Sequence, residues 1–288
     1  MKTEISDRLF KKFAALVYAK CGINLHEGKR QLLRARLAKR LRAVGVESFE
    51  EYYDYITLVD EGSEIIQMVN AVTTNKTSFF RESNQFDFLE NTVFPDIAKA
   101  QKDRVNIRFW SAGCSTGEEP YSLAISVLEF FKKTPHLTVN IMATDISTSV
   151  LEIAAKGVYH ESRAEDVPMA TLMRYFQKGT GRQEGYLRVK EEVRRVVSFR
   201  NQNLMRPFFF GPVLDAVFCR NVMIYFDKVT QQNLIRRFYE CISPGGYLFV
   251  GHSESLAGIE HEFTYIKPTI YRKGCQASEA APPKSPEK

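Results

Sequence analysis

A glycine-containing loop lies between a predicted strand and a predicted helix in the stretch RFWSAGCSTGEEPYS (108–122). Gly113 and Gly117 are four residues apart in this loop, and glycines at such a turn let the backbone approach a nucleotide-like ligand closely. The loop has neither the GxGxxG pattern nor the Lys-Ser/Thr ending of a Walker A loop, and two acids, Glu118 and Glu119, follow it. The pattern therefore favours a ligand less anionic than a pyrophosphate.

A carboxylate ends the next predicted strand. Asp145 follows VNIMAT, thirty-two residues after Gly113. In a doubly wound sheet, an acid at this place accepts hydrogen bonds from the hydroxyls of a ribose, which points to an adenosine ligand. The alternative is that Asp145 caps a helix beginning near residues 147–150, and the two roles are compatible.

Polar residues also end the predicted strand LDAVFC (214–219). Arg220 and Asn221 follow it directly, at the edge where open α/β sheets bind ligands. The alternative is that the charged side chain of Arg220 simply leaves the strand for solvent.

A fourth candidate segment, TTNKTSFFRE (73–82), lies between the helical part of the sequence and the α/β part. Junctions between domains favour pockets. We expect Phe79 and Phe80 to anchor the core, which leaves Asn75, Thr77 and Arg81 available to a ligand.

Seven basic residues and no acidic residue lie between Glu27 and Glu47. Such a run is usually a solvated helix face, and a nucleic-acid surface is the second possibility. No aromatic residue that could stack on bases is interleaved with these charges, so we favour docking of an acidic helical partner. Four members are predicted to share a side of the helix away from the stripe Leu33, Leu37 and Leu41: Lys29, Arg36, Lys39 and Arg40.

The elements that must position these residues fall into two domains. Residues 1–81 show apolar residues at helical spacing, which predicts a helical domain that includes the basic helix. Residues 82–273 alternate apolar runs with helices, which predicts a doubly wound, mostly parallel α/β sheet. Turn glycines and two short β-rich runs predict a small antiparallel β insert at about 175–199. Residues 274–288 contain few apolar residues and are expected to be a disordered tail.

Composition excludes several classes of protein. The 288 residues carry 40 Lys and Arg against 34 Asp and Glu, and 44% are apolar, as in globular proteins. The five cysteines are widely spaced without a CxxC pair, so neither a disulfide framework nor a zinc site is expected. The stretch MKTEISDRLFKKF (1–13) is charged from its second residue, which disfavours a signal peptide, and no apolar run approaches about 18 residues. We therefore expect a cytoplasmic protein without membrane insertion.

The motifs together resemble the CheR-type chemotaxis methyltransferases. The similar stretches are TTNKTSFFRE, FWSAGCSTGEEPYSLAI, ATDIS, LDAVFCRNVMIYFD and GGYLFVGHSES, and the resemblance extends from about Phe10 to Tyr271. It implies the class I methyltransferase fold, with S-adenosylmethionine as cofactor and S-adenosylhomocysteine as product. The implied substrates are glutamate side chains on the cytoplasmic helical bundles of chemoreceptors, which become methyl esters.

The resemblance also implies which residues surround the cofactor. These are Asn75, Thr77 and Arg81 at the methionine end, Gly113 and Glu119 in the glycine loop and the following helix, Asp145 at the ribose, Asn203 and Leu204 at the adenine, and Arg220 and Asn221 toward the methyl group.

Arg81 and Tyr225 are the implied catalytic residues, which would hold the substrate carboxylate through a charge-assisted hydrogen bond and a phenolic one. Alternatively, Arg81 orients Tyr225 or the carboxylate of the cofactor. A glutamate with a pKa of about 4.3 is ionised at neutral pH, so we expect no general base and no essential histidine.

Two other functions remain open from the sequence. An NAD-dependent oxidoreductase shares the glycine loop, the ribose carboxylate and the parallel sheet, although the two acids after the loop disfavour a pyrophosphate. A non-enzymatic scaffold could keep the fold and bind a receptor or nucleic acid through the basic helix. We favour the methyltransferase, acting as a monomer on a chemoreceptor and not on nucleic acid. The β insert is a candidate site for a C-terminal peptide of the receptor.

Overall fold

The computed structural model describes residues 4–60, 62–101, 105–134, 136–208 and 214–274. Nearly all of the predicted tail, residues 275–288, lies outside the described residues.

Four helices form the N-terminal part of the chain, and their apolar stripes pack into one core. Phe13, Val17, Leu33, Leu37 and Tyr52 are all fully buried or nearly so in this core. Short π-helical and 3₁₀ turns extend two of the helices. The helices are α1 (Asp7–Cys21), α2 (Arg30–Val44), α3 (Phe49–Asp54) and α4 (Ser63–Val72).

The arginines of the basic helix α2 correct part of the sequence prediction. Arg40 Nε and Nη2 donate to the two carboxylate oxygens of Glu64 at 2.8 and 2.6 Å, and Tyr52 Oη donates to Glu64 Oε1 at 2.7 Å. Arg36 donates to the carbonyls of Val72 and Thr73. Both side chains were expected to face away from the leucine stripe, but at 3.6 residues per turn Arg40 lies only about 20° from Leu33. The arginines therefore join α2 to α4 and to the segment after it.

Lys29 and Lys39 are the two members of the predicted basic surface that are exposed to solvent. Within the described residues, no hydrogen bond or ion pair engages either ammonium group.

The rest of the chain is an α/β domain around a seven-stranded sheet in the order β6-β2-β1-β7-β8-β10-β9. Strands β6, β2, β1, β7 and β8 are parallel to one another, and β10 is antiparallel to both β8 and β9. This confirms the mostly parallel sheet predicted from the sequence. The strands are β1 (Asn106–Ala112), β2 (Thr138–Asp145), β6 (Val197–Asn201), β7 (Leu214–Cys219), β8 (Ile242–Val250), β9 (Thr264–Lys267) and β10 (Ile270–Arg272).

Alternate residues of each central strand enter two different cores, since successive side chains of a strand point to opposite faces. Phe109 belongs to one core together with Leu123, and Trp110 belongs to the other together with Phe238. The helices of this domain are α5 (Ser83–Phe88), α6 (Phe94–Gln101), α7 (Glu118–Phe130), α8 (Thr148–Lys156), α9 (Met169–Tyr175), α10 (Glu191–Arg194) and α11 (Lys228–Cys241).

The small antiparallel sheet is present, but its boundaries differ from the predicted 175–199. It consists of β3 (Val158–His160), β4 (Phe176–Lys178) and β5 (Tyr186–Val189), in the order β3-β5-β4. The second β-rich run of the predicted insert is instead β6, which pairs in parallel with β2 of the main sheet. A short apolar run predicts a strand without showing its pairing partner, which is why its sheet was assigned wrongly.

The strand order reverses beside β1. From β1 the chain moves outward to β2 and β6, then crosses to β7 and continues outward on the other side. Such a switch point opens a crevice at the carboxyl ends of β1 and β7. Within the described residues, none of the helices combines the length and the apolar character needed to cross a bilayer.

We expect Arg40→Ala to lower the free energy of unfolding by about 2–4 kcal/mol, because the buried carboxylate of Glu64 loses its cation and two hydrogen bonds. Urea unfolding followed by circular dichroism measures the change. The control is Lys39→Ala on the same helix, which should change stability by less than about 0.5 kcal/mol. Equal stabilities of the two variants would contradict a role for the ion pair in the fold.

Candidate functional site

A cleft opens at the carboxyl ends of β1, β2 and β7. Its empty volume is about 920 Å³ with the solvent at its mouth included. The ten residues named above as cofactor contacts all line it, and so does Tyr225. The four basic residues predicted to bind a partner do not line it.

The glycine loop turns sharply where β1 ends. Gly113 has φ of 88°, and a Cβ there would overlap the side chain of Val222 on the opposite wall. The amides of Gly113 and Cys114 both donate to the carbonyl of Thr144 at the end of β2, at 2.8 and 2.9 Å. Only glycine fits this conformation and this close approach, so the loop holds two strand ends together.

Asp145 lies at the end of β2 with its carboxylate at the cleft wall. Oδ2 accepts from the amide of Ser115 and Oδ1 from the amide of Ser147, each at 2.9 Å. Burial raises the pKa of this carboxyl group, and the backbone donors oppose the increase. Helix α8 begins at Thr148 with Ser147 before it, so Asp145 supports the start of the helix without being its N-cap. Each oxygen retains a lone pair that can accept from a ribose hydroxyl.

The two acids after the glycine loop point to different partners. Glu119 lines the cleft, and its Oε1 accepts from Ser111 Oγ at 2.7 Å. Glu118 is fully buried away from the cleft and forms an ion pair with Arg163, between β3 and α9. The cleft therefore receives Glu119, the acid that the resemblance implies, and not Glu118.

Arg220 is a buried centre of the site, and its side chain is only 2% exposed. Its guanidinium lies 3.2 Å from Glu119 Oε2 and 3.1 Å from Glu82 Oε2, and it also donates to the carbonyl of Arg81. Burial raises the pKa of Glu119, and the adjacent Arg220 opposes that increase. Arg220 thus joins β7, α7 and the junction segment, and the alternative that it leaves the strand for solvent is wrong.

The junction segment forms part of the cleft wall, and its two phenylalanines pack into the core of the α/β domain. Phe79 is buried against Tyr159 and Phe176 with edge-to-face ring contacts, which confirms the predicted core role. The carbonyl of Asn75 accepts from Ser115 Oγ at 3.0 Å, and Arg81 Nη1 donates to the carbonyl of Lys76 at 3.1 Å. The segment is therefore attached to the glycine loop, with Asn75 and Arg81 at the cleft.

The N-terminal helices supply part of the cleft wall, which sequence analysis missed. Cys21 and Ile23 at the end of α1 line the cleft, together with Thr73 and Thr74 after α4. Asn203 Nδ2 donates to the carbonyl of Lys20 at 2.6 Å, which connects the predicted adenine end to α1. The only local signal was the helix break at Cys21-Gly22, and it does not indicate what faces it.

Glu254 is another residue that sequence analysis did not single out. It lies in the segment after β8, is buried, and accepts three backbone hydrogen bonds from segments at the cleft. The motif GHSES that contains it was noticed only as part of a resemblance, because a single acid after a strand has no distinctive pattern.

Two family models match most of the chain. The model described as "CheR methyltransferase, SAM binding domain" matches residues 75–272, and the model described as "CheR methyltransferase, all-alpha domain" matches residues 8–73. SAM is S-adenosylmethionine.

Curated proteins show the same similarity over nearly their full length. The chain is 40% identical over 268 residues to the chemotaxis protein methyltransferase of Salmonella typhimurium, covering 93% of this chain and 90% of that protein. It is 42% identical over 264 residues to chemotaxis protein methyltransferase 2 of Pseudomonas aeruginosa, covering 91% of each. It is 39% identical over 276 residues to the chemotaxis protein methyltransferase of Borreliella burgdorferi, covering 94% of each.

We expect Asp145→Ala to weaken binding of S-adenosylhomocysteine by about 1–3 kcal/mol, or about 5- to 150-fold, because a buried acceptor for the ribose is lost. Isothermal titration calorimetry measures the affinity. Asp166→Ala removes an exposed carboxylate and is the control. An unchanged affinity for Asp145→Ala would remove this residue from the site.

Proposed function

The chain belongs to the CheR methyltransferase family, and on this premise we propose that it transfers the methyl group of S-adenosylmethionine to glutamate carboxylates of chemoreceptors. The products are glutamyl methyl esters and S-adenosylhomocysteine, and the reaction serves adaptation in chemotaxis signalling. The observation that carries the proposal is the cleft at the switch point, where all the expected cofactor residues meet.

Cofactor binding in this proposal uses chemically matched groups. The cofactor has a ribose diol, an amino acid end and an adenine. Asp145 accepts from the diol, Glu119 faces the amino acid end, and Leu204 provides an apolar wall for the adenine. Asn75, Thr77 and Arg81 close the methionine end. The guanidinium of Arg220 compensates the negative charge of Glu119, so this carboxylate can be buried at the cleft without a cation from solvent.

The chemistry asks little of the protein beyond alignment. S-adenosylmethionine supplies a methyl group on a positively charged sulfur. The carboxylate oxygen forms a bond to the methyl carbon as the carbon–sulfur bond breaks, and the sulfur keeps the bonding electron pair. The acceptor is ionised at neutral pH, so no proton has to be removed. Holding the oxygen in line with the carbon–sulfur bond is then the main contribution of the chain.

Tyr225 and Arg81 are the residues we assign to the acceptor carboxylate. The side chain of Tyr225 lines the cleft, and within the described residues its hydroxyl has no hydrogen-bond partner, so it is available as a donor. Arg81 uses Nη1 for the carbonyl of Lys76 and keeps other N–H groups for a ligand. A strong contact to the ground-state carboxylate would slow transfer, because the charge is neutralised as the ester forms. Tyr225 is thus the better candidate for holding the acceptor carboxylate during transfer.

The partner surface in this proposal lies on α2. Lys29 and Lys39 are exposed there, and an acidic helical bundle would be attracted to them. Arg36 and Arg40 contribute positive charge to the same helix while their side chains bind within the fold. Acting on the cytoplasmic part of a receptor, the protein would work as a monomer in the cytoplasm.

The β insert offers a second contact for the receptor. In the order β3-β5-β4, the outer strands β3 and β4 each pair with β5 alone, so each keeps an edge at which an extended peptide can add. A flexible C-terminal peptide of a receptor could be held there.

The reaction is tested by incubating the protein with a radiolabelled methyl donor and a receptor cytoplasmic fragment. We expect label in the receptor that alkali releases as methanol, because esters are labile to base and methylated amines are not. Label that resists alkali would contradict carboxylate methylation. Titration with NAD distinguishes the methyltransferase from an NAD-dependent oxidoreductase, since S-adenosylhomocysteine should bind and NAD should not.

We expect the double variant Lys29→Glu/Lys39→Glu to slow methylation of the receptor fragment about 5- to 10-fold at low salt and to weaken its salt dependence, because electrostatic attraction acts over a screening length of about 10 Å at 0.1 M salt. Affinity for S-adenosylhomocysteine should not change. The matched control is Lys99→Glu/Arg236→Glu, two exposed cations elsewhere on the surface. An equal effect of both double variants on the methylation rate would show that the rate depends on the net charge of the protein and not on the position of the lysines on α2.

A further inference from the structure

A buried carboxylate lies behind the cleft wall on which Tyr225 stands. Glu254 is 8% exposed and does not line the cleft. Its Oε2 accepts from the amides of Asn221 and Gly251 at 2.7 and 2.6 Å, and its Oε1 accepts from the amide of Ile224 at 3.2 Å. One side chain therefore binds three backbone amides from the two segments that follow β7 and β8 at the carboxyl end of the sheet.

These three donors come from places where the backbone has left the regular ladder. Gly251 follows the last residue of β8, Asn221 lies two residues beyond the end of β7, and Ile224 is in the middle of the 3₁₀ turn Met223–Tyr225. A backbone N–H that leaves a strand needs another acceptor when it is buried. Glu254 supplies that acceptor for all three groups.

The conformation that Glu254 holds is an uncommon one. Asn221 has φ of 60°, a left-handed conformation that asparagine adopts more readily than other non-glycine residues, but still at a cost. It also packs so closely on Gly251 that a Cβ on that glycine would lie 2.7 Å from the amide nitrogen of Asn221. The hydrogen bonds to one carboxylate offset this cost by fixing both residues at once.

The charge of Glu254 is balanced by backbone dipoles. Among the described residues its partners are amide N–H groups, and no lysine or arginine forms an ion pair with it. Burial raises the pKa of this carboxyl group, and the backbone hydrogen bonds oppose the increase. An acid held in this way in a buried place does more for local geometry than for the net stability of the fold.

The turn held by Glu254 presents Tyr225 to the cleft. Its middle residue donates to Glu254, and Tyr225 is the next residue. On the other side, the carbonyl of Tyr225 accepts from the amide of Asn24 at 2.8 Å. The backbone of Tyr225 is therefore fixed between a carboxylate of the α/β domain and the loop after α1.

We propose that Glu254 is a positioning residue that sets the place of the Tyr225 hydroxyl through the turn Met223–Tyr225. This inference rests on the proposed role of Tyr225 in methyl transfer. Because a displacement of about 1 Å at a reacting group can cost about 100-fold in rate, loss of the carboxylate should appear in turnover without direct contact to either substrate.

The test is a double-mutant cycle of Glu254→Gln and Tyr225→Phe, measured as kcat for receptor methylation per site that binds S-adenosylhomocysteine. Gln keeps the size of Glu but places an amide N–H₂ against backbone donors. We expect Glu254→Gln to lower kcat about tenfold or more in the wild-type background, and to lower it less than twofold when Tyr225 is already Phe. The control is Glu262→Gln, an exposed acid in the same segment, which should leave kcat unchanged.

Counting only the sites that bind the product removes the effect of unfolded protein from kcat. A merely structural role would lower the number of sites and would act equally in both backgrounds. If the fold-decrease in kcat of the double variant equals the product of the decreases in the two single variants, the inference is overturned. An unchanged kcat in Glu254→Gln would also overturn it.

A separate measurement on the wild-type protein shows whether the proposed function itself fails. If the wild-type protein forms no base-labile methyl ester, the proposed reaction fails before any variant is compared. If the ester forms and Tyr225→Phe turns over like the wild type, the assigned role of Tyr225 is wrong and the inference about Glu254 is overturned with it.

Discussion

The cleft depends on one buried cation. The guanidinium of Arg220 lies between Glu82 and Glu119 at the point where the strand order reverses. Removing one partner from a buried ion pair leaves a charge without compensation, so the strand end, α7 and the junction segment must stay together. The carbonyl of Arg81 also accepts from this guanidinium, which places the start of the Arg81 side chain at the cleft. The side chains that line the cleft are therefore held in place by the buried ion pairs of Arg220.

Two other carboxylates organise the cleft through the backbone. Asp145 accepts from amides of the glycine loop and of the residue before α8, and Glu254 accepts from amides after β7 and β8, behind the wall that carries Tyr225. Both follow parallel strands, where N–H groups leave the ladder and need acceptors. Carboxylates suit this place because each can accept several hydrogen bonds. These hydrogen bonds fix the loops at the carboxyl edge of the sheet, so that the edge has a defined shape.

The helical domain and the α/β domain form the cleft jointly. Cys21 and Ile23 at the end of α1 line it, and Arg36 of α2 donates to the carbonyls of Val72 and Thr73 at its margin. The basic helix is consequently attached to the wall of the site by its own side chains. Charge on this helix and the position of the cleft wall are therefore physically connected through Arg36.

The sequence by itself determined the class of fold, the strand-end residues that line the cleft, and the family. Periodicity and local order are enough for this, because Gly113, Asp145 and Arg220 each follow an apolar strand and parallel strands bring their carboxyl ends to one edge. Only the tertiary structure decided that Glu118 pairs with Arg163, that Arg40 binds Glu64, that β6 belongs to the main sheet, and that Glu254 supports the turn that contains Tyr225. These facts depend on pairings between residues that are far apart in the chain, and a local pattern contains no information about which distant group a buried charge or a strand edge will meet.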